Sequence, residues 1–93
     1  MKKPNENYIL NNALCTFGLK HQTAVAMEEM SELTKELCKW QRGQGVPEHI
    51  CEEIADVQIM LDQMSIAFDR HGLIAKFREE KLKRLEGLIT DSE

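Results

Sequence analysis

The amino-acid sequence predicts an all-α protein, an antiparallel helical hairpin with a short helix on either side. Apolar residues recur at three- and four-residue steps through most of the chain, the spacing that lines one face of a helix. Only five Gly and two Pro occur in 93 residues, 42% of which are hydrophobic and 30% charged, so the chain reads as folded and helical. The connection from Gln41 to Val46 is short enough to turn the second long helix back on the first.

Residues 1–5 are polar and expected to fray. A first helix is expected from Glu6 to Phe17, where Tyr8, Ile9, Leu10 and Leu14 give it an apolar side and Gly18 ends it. The principal helix, His21 to Gln41, carries Met30, Leu33, Leu37 and Trp40 as its apolar seam, and Gly43 and Gly45 stop it. Pro47 suits the first turn of the next helix, and Glu48 follows at its positive end. There Ile50, Ile54, Val57, Leu61, Met64 and Phe68 form a second seam, which ends near Arg70, before Gly72. A last helix, Leu73 to Ile89, is expected to turn Ile74, Phe77, Leu82, Leu85 and Ile89 inward and KFREEKLKR outward, and the tail 90–93 to lie in solvent. No repeat or second domain is seen, so residues 1–93 read as one domain.

So short a chain buries a modest fraction of its surface, and two long seams exceed what a short helix at each end can cover. A homodimer is the smallest expected assembly, with a dimer of dimers also open. The net charge of -4, with no basic run longer than two residues before the last helix's KLKR, gives no attraction to nucleic acid or to an anionic membrane. Cys15, Cys38 and Cys51 are odd in number and lack CxxC spacing, which argues against a disulfide framework or structural zinc and for a reduced, cytoplasmic setting. No apolar run has the length of a signal-peptide core or of a membrane span.

An acidic stripe accompanies each seam. Glu29, Glu32 and Glu36 each precede a seam residue by one position, and Glu53 and Asp56 do the same before Ile54 and Val57. Equal offsets on antiparallel helices bring both stripes to one side of the pair, so Glu29, Glu32, Glu53 and Asp56 are expected to converge. Four carboxylates repel unless a cation sits among them or some are protonated, and oxygen ligands without His or Cys favour Mg²⁺ or Mn²⁺. The plainer alternative is a solvated acidic face in which Glu32 with Lys35, or Glu36 with Lys39, forms surface ion pairs of little energy.

Over about residues 18–88 the sequence resembles the MazG-like, all-α nucleoside triphosphate pyrophosphohydrolases. Glu28-Glu29-Met30-Ser31-Glu32 is similar to that family's EExxE, and Glu53-Ile54-Ala55-Asp56 to its ExxD. The resemblance implies a four-helix core made on oligomerisation, and Mg²⁺-dependent hydrolysis of a nucleoside triphosphate, deoxy or non-standard ones included, to the monophosphate and pyrophosphate. It implies metal ligation by Glu29, Glu32, Glu53 and Asp56, with Glu29 or Glu32 activating the water. Gln22 and Gln63, two turns from the acids, and Lys81 and Arg84, near the chain's end, are the expected substrate contacts. For Gln22 and Gln63 the alternatives are a capping amide and a polar rim, and for the basic segment the ion pairs Glu79 with Lys83 and Glu80 with Arg84. A non-catalytic helical oligomerisation or regulatory module is the rival reading. Trp40 and the methionines are expected in packing, and of the three His only His21 is considered for ligand contact.

Overall fold

A computed structural model describes residues 5–92, and these form four helices: α1 (Glu6–Phe17), α2 (Leu19–Gln41), α3 (Pro47–Phe68) and α4 (Leu73–Ser92). No strand occurs among the described residues, and the all-α expectation holds. The expectation for residues 1–4 and for Glu93 lies outside the described residues. Asn5 opens α1, its side-chain oxygen accepting the Tyr8 N–H at 3.1 Å. Gly18, at φ 87°, is the whole break between α1 and α2, so α2 starts two residues before the expected His21.

The turn after α2 explains itself from the chain. Gly43 takes φ 78°, its N–H donates to the Trp40 carbonyl and the Gln44 N–H donates to the Lys39 carbonyl, a Schellman closure that a residue with a side chain resists. Gly45 then passes over Trp40 so closely that a Cβ would stand 2.5 Å from the Trp40 Cα. After the five residues 42–46 the chain re-enters a helix at Pro47. Gln22 meets Gln63 at one level and Glu29 meets Asp56 at another, seven residues later on α2 and seven earlier on α3, so α3 runs antiparallel to α2. α1 packs on both.

Which faces meet differs from expectation. The α2 residues turned to α3 are Gln22, Ala26, Glu29, Leu33 and Glu36, all buried or half-buried, whereas Met30, Leu37 and Trp40 stay exposed. On α3 the inward set is Ile50, Glu53, Val57, Met60, Gln63 and Met64, with Ile54, Leu61 and Phe68 left outside. Each helix is turned by roughly 50° from the seam expected of it, so that Leu33 on α2 and Ile50, Val57 and Met64 on α3 belong to both sets. The acidic stripes therefore border the line of contact, and part of each apolar seam faces outward.

The last helix also departs from expectation. Ile74, Phe77, Leu82, Leu85 and Ile89 do not turn inward; the large apolar residues of α4 are each between 45% and 54% exposed. At Asp69–Gly72 the chain bends, Gly72 adopting φ 69° and the Asp69 carboxylate accepting the Leu73 and Ile74 N–H groups at 2.7 and 3.3 Å. From there α4 leaves the hairpin and makes at most a marginal contact with another helix. Apolar periodicity says that a face is made for burial without saying against what.

Candidate metal centre

Antiparallel pairing sets the site. Gln22 precedes Glu29 by seven residues and Gln63 follows Asp56 by seven, so the two amides and the two carboxyls face each other at levels two turns apart. Oxygens of Glu29, Glu53 and Asp56 lie within 4.8 Å of one another, a spacing one cation can span. Glu29 and Glu53 are half-buried and Asp56 is exposed, so the cluster opens to solvent on the Asp56 side. Glu53 Oε2 is out of contact with water and has no hydrogen-bond partner. A carboxylate oxygen in that condition fits a bound cation.

The electrostatics agree with crowding. Burial first, then the charges of Asp56, Glu53 and Glu28, push the Glu29 carboxyl above its ordinary value of 4.5, and a hydrogen bond with Asp56 adds to the rise. Glu53 is raised in the same way, by burial first and then by Asp56, Glu32, Glu36 and Glu52. Glu29 and Glu53 therefore hold protons more tightly than ordinary carboxyls do.

Three of the four expected ligands are thus brought together. Glu32 is exposed and stands outside the group, near enough for its charge to act on Glu53. Glu36, read from the sequence only as one of the stripe and a surface partner of Lys39, does pair with Lys39 at 3.2 Å. It is also only 14% exposed and bears on Glu53. Its place seven residues after Glu29, the heptad position of the contact line, was the available signal.

Gln22 and Gln63 are 5% and 3% exposed, and the Gln22 amide donates to the Gln63 oxygen at 2.8 Å, so within one chain both amides face each other and not an open cleft. His21 donates from Nδ1 to the Gln22 oxygen at 2.8 Å, and stacks obliquely on Phe17. Lys81 and Arg84 lie exposed on α4; Lys81 borders a shallow apolar groove with Ile74, Phe77 and Leu85. Of the ion pairs expected on that helix, Glu79 with Lys83 forms, at 3.7 Å. All three cysteines are free and exposed. No described helix is long and apolar enough to cross a membrane.

Fold and site together define a class: a two-helix antiparallel unit with a carboxylate cluster at its line of contact. The chain matches no family model, no curated protein and no solved structure.

Proposed function

We propose that the protein is a divalent-cation-dependent nucleoside triphosphate pyrophosphohydrolase that acts as an assembly of identical chains. The observation that carries the reading is the convergence of Glu29, Glu53 and Asp56 within 4.8 Å, with one Glu53 oxygen buried and unpaired. Their order and spacing resemble the paired acidic motifs of the MazG-like enzymes. Those three residues would hold Mg²⁺ or Mn²⁺, with Glu32 beside them, and the bound ion would neutralise phosphate oxygens and the charge of the leaving pyrophosphate. Glu29 is assigned to orient the attacking water and take its proton, as the water oxygen bonds to the α-phosphorus and the bond to the bridging oxygen breaks. Its raised affinity for protons suits a base.

Self-assembly has support from surface area. A compact chain of 10.7 kDa exposes about 5,500 Å² by the usual scaling, whereas this one exposes 7971 Å². An excess of about 2,500 Å² on each of two chains matches the 2,000–5,000 Å² of obligate homodimers. Charge points weakly the same way: α3 carries Glu48, Glu52, Glu53, Asp56 and Asp62 with no Lys or Arg, while α4 sets Lys76, Arg78, Lys81, Lys83 and Arg84 against Glu79, Glu80, Glu86 and Asp91. A second copy can cover the outward seams of α2 and α3 with its α4, and that docking would bring Lys81 and Arg84 toward an acidic surface.

The test is product analysis over canonical and modified nucleoside triphosphates, each with Mg²⁺ and with chelator. Metal-dependent release of monophosphate and pyrophosphate is expected. The exposed apolar faces favour a second reading, a helical oligomerisation module without turnover. Absence of product from every triphosphate, at a concentration where the assembly is intact, would select it.

A further inference from the structure

We propose that the buried Gln22–Gln63 amide pair is a positioning device that fixes the axial register of α2 against α3, and so holds Glu29 opposite Asp56. Its effect on cation affinity rests on the carboxylate cluster being the metal site proposed above; its effect on register does not.

The five buried residues among those described are Ala26, Val57, Met60 and the two glutamines. The apolar three specify register weakly, since Ala is small and Met adapts its shape. Nor do the acids specify it. A slip that moved Glu29 by one turn toward Glu53 would still face carboxylate with carboxylate, and at the observed register the cluster repels itself.

The amides behave otherwise. Residues three and four positions either side of Gln63 are Ile59, Met60, Ile66 and Ala67, and those around Gln22 are Gly18, Leu19, Val25 and Ala26. None has an amide, hydroxyl or carboxyl side chain. A one-turn slip in either direction would therefore set both buried amides against apolar groups, which costs far more than the slip costs the rest of the interface. The 2.8 Å bond is made at one register alone. From it the helices run two turns, without a Gly or Pro, to Glu29 on one side and Asp56 on the other.

The experiment replaces both amides at once by an apolar side chain of like length, Gln22→Met with Gln63→Met, because removing both partners is close to neutral for stability. Two properties are read in the full chain. Mn²⁺ titration is expected to show affinity reduced by about tenfold or more, the range typical for groups that orient ligands, with the metal-free melting temperature within a few degrees of the parent. In a background with Cys15, Cys38 and Cys51 changed to Ser, Glu29→Cys with Asp56→Cys reports register through the rate of disulfide formation. That rate is expected to fall when the amides are replaced, and a Glu29→Cys/Glu53→Cys pair to gain. Gln22→Asn, which keeps an amide but is one methylene short, is the second variant should the Met pair not fold, with the same changes expected. Parental cross-linking in a folded variant overturns the proposal. A parent that binds no Mn²⁺ overturns the metal reading instead, and the cross-linking rate alone then decides the register.

Discussion

Glu53 keeps one oxygen away from water with no donor to meet it, next to the Glu29 carboxyl, which burial first and then the charges of Asp56 and Glu53 make hold its proton more tightly. Replacing it by Gln removes a charge from the crowd. Glu53→Gln is therefore expected to raise the metal-free melting temperature and to abolish the rise that Mg²⁺ gives the parent; a fall without metal would contradict the account of repulsion. Asp56→Asn is expected to cut turnover at least about a hundredfold with helicity unchanged by circular dichroism, and an unchanged rate would remove Asp56 from the site. The pH dependence has a fixed sign. Glu29 and Glu53 are raised above 4.5 in the folded chain, so between that value and their raised ones the folded state binds more protons than the unfolded. Their contribution favours folding at low pH and is lost as pH rises through the raised values; melts across that window should show a decline that Mg²⁺ flattens. The acids were legible from their offset and spacing. The contact face was misread by about half a residue step, roughly 50°, because a count of large apolar residues passes over Ala26 and treats Gln22 and Gln63 as polar, although all three are buried.

The helices themselves were legible to within a few residues, because capping and turn chemistry is local: Gly18, Gly43 and Pro47 stand where the backbone needs them, whereas Asn5, expected to fray, caps α1. Less visible was how tightly the α2–α3 connection is drawn. At Gly45 a methyl group would meet the backbone of Trp40, so the space lost cannot be recovered by moving a side chain. Gly45→Ala is expected to cost about 1–3 kcal/mol, a drop of several degrees or more for a chain of this size, measured by thermal melts; an unaltered melting temperature would mean the connection can give. The bend before α4 escaped the sequence reading for a different reason. Asp69 caps the helix after it and so decides where α4 points, and nothing in the apolar period of α4 encodes that direction.

As a whole molecule the chain is drawn out. Its radius of gyration is 16.4 Å, against about 12 Å for a compact chain of this length, and the difference accompanies a helix that packs on almost nothing of its own. If a second copy supplies the missing cover, Phe77→Asp or Leu85→Asp on α4 should convert the assembly to monomer in sedimentation and lower the melting temperature. Dilution of the parent should lower it as well. A parent that sediments as a monomer at every concentration would leave α4 without the partner assigned to it. An assembly was expected from length and seam area; that α4 is the helix left uncovered is a placement that only three dimensions reveal. The paired levels of the hairpin also bear on how such a chain can drift over generations. Residues 42–46 lie outside every paired level, so a longer loop there would remake the turn at Gly43 and Gly45 yet leave amides opposite amides and acids opposite acids. One residue inserted between Gln22 and Glu29 turns the rest of α2 by about 100° and parts amides from acids. Growth of the helices is thus confined to whole heptads, and descendants should differ in the loop while keeping the interval from Gln22 to Glu29 and from Asp56 to Gln63 the same.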